Sequence, residues 1–489
     1  MYYSVAVIDF GTAKIKGAVA QKYADGSFKI VAREEVDSDG CIVRGIVYNL
    51  EETAAKLTEI LDSLETQIHR TIVKVYANIN GQSLRSRPHE VEETYPGGHE
   101  LTQEDIDRII ERLNVNADET YEPIGEVDQI YYVDGNLTER PIGVKARTLK
   151  VKSQMILARR SLRENIYSVL EKKLEIGVAG ILPSTVLLGE RFLTKDQRRI
   201  GAAIIDFGAG CTGVAVYSKG SLAGLMTLPL GSRNITYDLT SLHISRSEAE
   251  RIKKSKGSAN SAKSGEETVN VQTVDERTTK ALPLYKVNRF VEARAQEIMD
   301  NVLAFVSKTL GHTNLPGGVV ITGGGSKLQE LPNKAADTLG SKVELASNTK
   351  ETDNNYYLTN PEWNVIFAMC HAAREECTEP SVETEEVSEP DQPKQPEQEG
   401  GTTKHTFEDA GKDRENEDSG HSQPSLFPDN DWDSITSDTK VDYKEPQKEK
   451  TEEGRKLPPI LGGGKGKKKN SIFSGLLDRI LPSDVDENE

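Results

Sequence analysis

One short pattern occurs twice in this chain of 489 residues, and it limits the possible folds more than any other feature. An apolar strand ends in Asp9-Phe10-Gly11 and a second apolar run follows; the same happens at Asp206-Phe207-Gly208. Each copy predicts a β-hairpin with a tight turn, because glycine permits positive φ and close backbone approach where a larger residue would clash. The duplication predicts an α/β protein with two related lobes.

The chemistry of the two turns points to phosphate. Backbone N–H groups exposed in a glycine-containing turn can hold a phosphate, and a carboxylate at the end of each inner strand suits Mg²⁺, which prefers oxygen ligands. One such turn alone is more often an ordinary hairpin. Two matched copies favour a triphosphate held between two lobes.

A third element has the character of a nucleoside site. The apolar strand at residues 318–322 leads into Gly323, Gly324 and Gly325, where missing side chains would let an adenosine lie against the backbone of a helix start. The segment at residues 248–254 predicts a short charged helix. It is read either as a solvated surface helix with i,i+3 pairs, or as a face on which Glu250 and Lys253 contact ribose and adenine.

Further elements extend this α/β core. A strand is expected at residues 28–34, a helix at 51–61 and a strand at 72–79. The segment at residues 255–280 is rich in Ser, Thr, Lys and Glu, and it predicts a poorly packed loop or a small sheet extension. A helix at residues 159–174 is expected to return the chain to the core after an interruption.

The interruption carries its own α+β pattern. Thr102 and Asp105 predict the capped start of a helix that runs to about Leu113. Alternating segments at residues 127–133 and 146–157 predict strands. This part is therefore expected to be a small inserted domain.

Composition excludes several classes of protein. The net charge of −17 argues against nucleic-acid binding. Four cysteines without metal-type spacing, Cys41, Cys211, Cys370 and Cys377, favour a reducing compartment. Neither a secretory signal nor an apolar run of about 18 residues is present, so a cytoplasmic protein is expected. Acidic and polar residues dominate from about residue 375 to 464, which predicts a disordered tether.

The tail after this tether predicts a membrane-binding helix. A basic cluster consists of Lys465, Lys467, Lys468 and Lys469. The helix that follows, ended by Pro482, places its large apolar residues on one stripe: Ile472, Phe473, Leu476, Leu477, Ile480 and Leu481. At ~1.5 Å per residue it reaches about half of the ~30 Å hydrocarbon layer, so it can lie in the interface but cannot span it.

Charge would add to this anchor. Four lysines at ~1 kcal/mol each contribute roughly 4 kcal/mol on an anionic leaflet before screening and ordering are counted. The other reading docks the stripe on the protein's own core or on a partner's groove. The long tether disfavours that reading, since a core helix has no reason to be held so far away.

Together these features resemble the FtsA family of bacterial cell division proteins, within the actin and sugar-kinase ATPase superfamily. The motifs that carry the resemblance are Ile8–Lys14, Gly81–Leu84, Leu101–Ile106 and Gly180–Ser184. It covers about residues 1–375 and the tail.

The resemblance implies an actin-like two-lobed ATPase fold made of duplicated ribonuclease-H-like domains, with a small α+β domain, 1C, inserted in the first lobe. The implied boundaries are 1–83 with 161–182 for lobe 1, 84–160 for 1C, 183–233 with 318–375 for lobe 2, and 234–317 for its outer subdomain 2B. The linker at 376–464, the basic cluster with the amphipathic helix at 465–482, and a tail at 483–489 follow.

The resemblance also assigns site residues. Asp9 and Asp206 would organise Mg²⁺, and Lys16 could replace Lys14 as the phosphate partner because alternate residues of a strand share a face. The implied contacts to ATP are Gly11, Thr12, Ala13, Lys14, Gly208, Ala209, Gly210, Thr212, Glu250, Lys253, Gly323, Gly324 and Gly325.

The implied function is structural. An FtsA-like protein binds ATP with Mg²⁺, polymerises with itself, holds FtsZ filaments on the anionic cytoplasmic face of the inner membrane at the division septum, and recruits later division proteins. Leu182 precedes the connecting Pro183, where chaperone ATPases of the superfamily carry an acidic residue. ATP binding with weak or no hydrolysis is therefore expected.

Three alternatives share the core. A sugar or acetate kinase needs a carboxylate base beside a hydroxyl-binding cleft, and no convincing candidate is found. A chaperone ATPase needs a β-rich substrate domain after the core, where this chain has its tether. A pilus-assembly protein of the PilM type shares the FtsA-like core, and the tether with its terminal helix favours FtsA over it.

Overall fold

A computed structural model describes residues 2–113, 121–274, 278–347 and 360–379. The basic cluster, the amphipathic helix and the linker beyond residue 379 lie outside the described residues.

The strands in chain order are β1 (Tyr2–Phe10), β2 (Lys14–Tyr23), β3 (Phe28–Asp37), β4 (Ile42–Val43), β5 (Ile46–Val47), β6 (Lys74–Ile79), β7 (Arg85–Glu100), β8 (Tyr121–Val133), β9 (Asn136–Thr138), β10 (Lys145–Arg159), β11 (Gly177–Pro183), β12 (Ala202–Phe207), β13 (Thr212–Ser218), β14 (Ser221–Leu228), β15 (Thr268–Gln272), β16 (Thr279–Pro283), β17 (Val319–Thr322) and β18 (Val343–Leu345).

The α-helices are α1 (Leu50–Ile68), α2 (Gln103–Leu113), α3 (Arg160–Tyr167), α4 (Ser184–Phe192), α5 (Lys195–Ile200), α6 (Ser232–Thr240), α7 (Arg246–Lys256), α8 (Leu284–Leu310), α9 (Leu331–Leu339) and α10 (Asn364–Ala372). Shorter helical segments are a π-helix at Ser168–Lys173 and 3₁₀ helices at Ser261–Ser264, Gly324–Lys327 and Pro361–Trp363.

The first lobe is built on a sheet with strand order β11-β6-β1-β2-β3. Residues of β1 and β2 are buried along most of their length, as expected for strands covered on both faces. Helix α1 packs across β2 and β3 and buries Leu57, Ile60 and Leu64. It begins where the Asn49 side chain accepts a hydrogen bond from the Glu52 N–H.

The second lobe continues into the inserted domain through one sheet. Its strand order is β18-β17-β12-β13-β14, followed by β7-β10-β8-β9 of the insertion. The junction is the pairing of Met226 on β14 with Arg85 on β7. A long helix, α8, covers the second lobe and buries apolar residues from Leu284 to Val306. The duplicated hairpins and the inserted α+β unit predicted from the sequence are therefore present.

The inserted domain confirms its predicted helix cap. The Asp105 carboxylate accepts hydrogen bonds from the Thr102 N–H at 2.9 Å and the Thr102 hydroxyl at 2.8 Å. Its long strand β7 was not predicted, because Pro88, Gly97 and Gly98 interrupt a largely polar segment. Pairing with β10 along much of its length holds it in the sheet.

The last described segment contacts both lobes. Helix α10 packs against β1 and β2 of the first lobe and against α4 of the second, so its contacts are not confined to lobe 2. Residues 376–379 also belong to the fold: the Cys377 N–H donates to the Ser4 carbonyl at 2.7 Å, and Cys377 and Thr378 are buried. Residues 376–379 are therefore part of the fold, and the rest of the linker predicted from residue 376 lies outside the described residues.

Smaller differences have local causes. The helix predicted at 159–174 changes from α to π at Ser168. The glycine triplet leads into a 3₁₀ turn, and α9 begins only at Leu331. At residues 255–280 the small sheet extension is present as β15 and β16, and most residues of these two strands are exposed or half-buried. There Ser258 and Ser264 are buried and hydrogen-bonded to Asn288.

All four cysteines are free thiols and buried. Among the described helices, none combines the length and the apolar character that a membrane crossing needs.

Candidate functional site

The two hairpin carboxylates meet in the cleft between the lobes. Asp9 ends β1 and Asp206 ends β12, and both side chains are nearly fully buried. Strand β6 runs parallel to β1, and β17 runs parallel to β12. Because the carboxyl ends of parallel strands lie at the same end of a sheet, β6 and β17 end beside the two aspartates. This is the chemistry that the repeated pattern predicted at the end of each inner strand.

Two asparagines that the sequence argument missed hold these carboxylates. Asn78, at the end of β6, donates to Asp9 Oδ1 at 2.6 Å, and its own side-chain oxygen accepts from the Phe10 N–H at 2.7 Å. Asn80 donates to Asp206 Oδ2 at 3.0 Å. Their position at the end of β6, a strand parallel to β1, was the signal that could have identified them.

Lys16 lies closer to the acidic pair than Lys14 does. The antiparallel register of β1 and β2 places Lys16 directly opposite Asp9, with its Nζ 3.7 Å from Asp9 Oδ2. Lys14 forms an ion pair with Glu35 instead. The geometry therefore favours Lys16, the alternative phosphate partner named from the strand alternation.

Burial makes this pair of carboxylates electrostatically unfavourable. Desolvation and the neighbouring Asp9 charge raise the pKa of Asp206 to about 7, although Lys16 and Asn80 act in the opposite direction. Desolvation likewise raises the pKa of Asp9, against the effects of Lys16 and Asn78. A divalent cation would relieve both effects, so the residues fit Mg²⁺.

The small number of protein ligands also fits that ion. Among the described residues, no group of three or more His, Cys, Asp or Glu side chains is placed to hold a metal. Mg²⁺ commonly keeps several waters and binds through one or two carboxylates together with substrate phosphates.

The two predicted phosphate turns contact each other. A Cβ atom added at Gly210 would lie 2.6 Å from Thr12 Oγ1, so the second turn rests directly on the first. The Thr12 hydroxyl in turn accepts from the Gly45 N–H at 3.0 Å. A triphosphate between these turns therefore requires them to move apart.

The other residues assigned to these turns make close contacts and hydrogen bonds with nearby backbone. A Cβ at Gly11 would lie 2.4 Å from the Lys14 carbonyl, and one at Gly208 would lie 2.8 Å from the Cys211 carbonyl. The Thr212 hydroxyl donates to the Leu230 carbonyl at 2.8 Å. The Ala13 and Ala209 carbonyls accept from the N–H groups of Ser38 and Arg233.

The glycine triplet lies beside the second carboxylate. Gly323 has φ +86°, and a Cβ there would lie 2.5 Å from Asp206 Oδ1. A Cβ at Gly325 would lie 2.5 Å from the Phe207 ring, whereas Gly324 faces Glu362 at 3.7 Å. Side chains at Gly323 and Gly325 would thus collide with β12 and its turn.

Glu250 and Lys253 lie on one face of α7 and form an i,i+3 ion pair, an arrangement that both readings of this helix allow. Lys253 Nζ donates to Glu250 Oε2 at 2.7 Å, to Thr236 Oγ1 at 2.9 Å and to the Ser232 carbonyl at 3.1 Å. Lys253 is only 8% exposed, so the helix is more than a solvated surface element. Desolvation lowers the pKa of Lys253, whereas the Glu250 charge opposes that effect.

Two further side chains enter the cleft without a sequence signal. The Arg233 guanidinium donates to the Thr12 carbonyl at 2.9 Å and so joins the two lobes. Glu362 forms an ion pair with Lys327 at 2.8 Å. Burial raises the pKa of Glu362, but Lys327, Lys16 and Lys14 outweigh burial and lower it overall.

Two acid-ended hairpins that meet across a cleft, each on its own α/β sheet, define an actin-like two-lobed protein. In agreement, a solved PilM–PilN type IV pilus biogenesis complex is similar with a TM-score of 0.50 over 75% of this chain and 97% of that one. Its 16% sequence identity shows the fold alone.

Sequence comparison gives the family. The model for the cell division protein FtsA matches residues 203–368, and the model for the SHS2 domain inserted in FtsA matches residues 81–157. FtsA of Porphyromonas gingivalis is 28% identical over 76% of this chain and 79% of that protein. FtsA of Bacillus subtilis is 28% identical over 70% and 78%. The chain belongs to the FtsA family of cell division proteins, and the PilM alternative is not favoured.

Proposed function

We propose that this protein binds ATP with Mg²⁺ in the interlobe cleft, polymerises, and anchors FtsZ filaments to the cytoplasmic face of the inner membrane through its C-terminal helix. The observation that carries the proposal is the pair of buried, mutually repelling carboxylates, Asp9 and Asp206, at the point where the two hairpin turns meet. Family membership supports the role in division.

In this proposal each group has a defined task. Asp9 and Asp206 hold the ion directly or through water, and Lys16 faces the phosphates from β2. The two glycine-containing turns bring backbone N–H groups to the phosphate oxygens. Glu250 and Lys253 contact the nucleoside from α7, and the backbone of Gly323–Gly325, most open at Gly324, lies against it. When bound, Mg²⁺ neutralises the carboxylates and phosphates together.

The membrane part of the proposal is based on the tail sequence. One helix with an apolar stripe beside four lysines is a reversible anchor. Several tails on one polymer would bind far more firmly by avidity. The same polymer would place FtsZ and later division proteins at the septum.

Co-sedimentation with anionic liposomes in ATP and Mg²⁺ tests the proposal. The full chain is expected to pellet, and a chain ending at Leu461 is expected to stay in the supernatant while it still binds nucleotide. Phe473→Glu, within the apolar stripe, should abolish pelleting, whereas Asp478→Asn, off the stripe, should not. Adding FtsZ should bring it into the pellet only with chains that bind the liposomes.

Other results would contradict the proposal in identifiable ways. If the full chain also stays in the supernatant, the tail is a protein-docking helix and the membrane anchor is wrong. If no form binds ATP, the nucleotide site is wrong as well. Phosphorylation of a small polyol or acid, or peptide-stimulated hydrolysis, would favour the kinase or chaperone alternative.

A further inference from the structure

Arg233 is a charged side chain in the cleft whose hydrogen-bond partner there is a neutral carbonyl. It lies in the first turn of α6, and its guanidinium reaches across to the first lobe, where Nη2 donates to the Thr12 carbonyl at 2.9 Å. The side chain is half-buried. A neutral carbonyl is a weak partner for a guanidinium, which typically pairs with carboxylate or phosphate oxygens in two parallel hydrogen bonds.

Arg233 lies near another positive charge and has no carboxylate in direct contact among the described residues. Within the described part of the chain, no carboxylate forms an ion pair with it. Arg246 lies nearby, stacked over the Tyr237 ring with its guanidinium carbon 4.8 Å from the ring centroid. Desolvation and the Arg246 charge lower the pKa of Arg233, while Tyr237 and Glu250 act in the opposite direction. A half-buried cation of this kind is best stabilised by an anionic ligand.

The location specifies which anion. Arg233 contacts the first phosphate turn at Thr12 and is also close enough to Glu250 and Lys253 to interact with their charges. A nucleotide with its nucleoside at α7 and its phosphates at the two turns would run from one of these contacts to the other. Its phosphate chain would therefore pass the Arg233 guanidinium.

We infer that Arg233 binds the phosphate chain of the nucleotide, exchanging its hydrogen bond to the Thr12 carbonyl for phosphate oxygens when the two turns separate. This inference rests on the nucleotide-binding function proposed above. It adds a residue whose contact to Thr12 changes with ligand, so that the same guanidinium links the lobes without nucleotide and holds the phosphates with it.

Equilibrium binding of ATP, ADP and adenosine to the full-length protein tests this role. Arg233→Ala is expected to weaken ATP and ADP binding at least about tenfold, since a charge-assisted hydrogen bond is lost. Adenosine binding should change by less than about twofold, because adenosine has no phosphate. Arg233→Lys should restore part of the affinity, and Arg246→Ala, which removes a neighbouring charge, is the matched control.

The outcomes separate this inference from the proposed function. If the unmodified protein binds ATP and Arg233→Ala binds it equally well or more tightly, Arg233 is only a lobe contact and the inference is wrong. An equal loss for ATP and adenosine, with a lower unfolding temperature, would also overturn it in favour of a structural role. If the unmodified protein binds no nucleotide, the proposed function and the inference both fail.

Discussion

At the scale of single residues, the site is defined by groups in unfavourable environments. Asp206 and Asp9 are buried together, and Lys16 with two asparagines offsets their repulsion only in part. Proteins keep such arrangements mainly where a ligand completes them. Protonation of Asp206 should therefore stabilise the nucleotide-free protein.

The titration of Asp206 gives a prediction with a definite sign. A carboxyl whose folded pKa is raised from 3.8 to about 7 binds more protons in the folded than in the unfolded state between these values. The contribution of Asp206 to the free energy of unfolding should thus fall by about 4 kcal/mol as pH rises from about 4 to about 7 and stay level above that range. Urea unfolding in EDTA at several pH values measures it.

The substitution Asp206→Asn tests how much of the pH dependence of stability comes from this one carboxyl group. Asp206→Asn cannot ionise, so most of the pH dependence between about 4 and 7 should disappear and stability at pH 8 should rise. Asp25→Asn, in the exposed turn after β2, is the control. Hydrogen bonds from Ser27 lower the pKa of Asp25, so this residue titrates below the pH range of interest, and the variant should show the same dependence of stability on pH as the unmodified protein. An unchanged profile for Asp206→Asn would show that other groups cause the slope.

At the scale of elements, the Asp105 cap joins helix α2 of the inserted domain to strand β7. Asp105 is buried at the start of α2, where it also accepts a hydrogen bond from Arg108 at 2.6 Å and contacts His99 at 2.7 Å. Burial alone would raise the pKa of Asp105, but these partners and Thr102 lower it well below its usual range. The carboxylate should therefore stay ionised and stabilising down to strongly acidic pH.

Removing this cap should loosen the inserted domain. Asp105→Ala leaves its donors without an acceptor, and we expect a loss of about 2–3 kcal/mol in the stability of the domain. Asp107→Ala, two residues along on the exposed face, should change stability by less than about 0.5 kcal/mol. Hydrogen exchange of α2 amides compares the variants; equal protection in both would contradict the role of the cap.

At the scale of the whole molecule, distant parts of the chain complete one another. In sequence, the inserted domain interrupts the first lobe. In space, its sheet joins the edge of the second lobe at β14. Lys219, in the turn between β13 and β14, donates to the Tyr132 hydroxyl at 3.3 Å. Movement of the second lobe should therefore be transmitted to the inserted domain.

The end of the described chain closes the first lobe in a similar way. Cys377 donates to the Ser4 carbonyl at 2.7 Å, and its own carbonyl accepts from the Val73 N–H at 3.0 Å. Buried Lys22 donates to the carbonyls of His371 at 2.5 Å and Ala373 at 2.6 Å, at the end of α10. This segment thus connects the amino-terminal ends of the adjacent strands β1 and β6.

Truncation tests the importance of that segment. A chain ending at Glu379 should unfold at the same temperature as the full chain, since it keeps every contact of the closing segment. A chain ending at Ala372 loses the backbone hydrogen bonds and the buried Cys377, about 3 kcal/mol or more, so its midpoint should drop by several degrees. Equal midpoints for both truncations would place the fold boundary earlier.

The sequence by itself determined the local chemistry. Strand alternation, the turn glycines and the aspartate at each strand end predicted both hairpins and the carboxylates, because these depend on residues a few positions apart. For the lysine, the sequence named Lys14 with Lys16 as its alternative, and the strand register favours Lys16. The Thr102–Asp105 cap was predictable for the same reason. The apolar tail helix stays a prediction, since it lies outside the described residues.

Only the tertiary structure decided which remote residues complete the site and the lobes. Asn78, Asn80 and Arg233 reach the carboxylates or Thr12 through strand order and lobe contact, which no local pattern encodes. The return of residues 361–379 to the first lobe has the same origin. Side-chain type and spacing fix local geometry, whereas long-range pairing depends on how whole elements bury their apolar faces together.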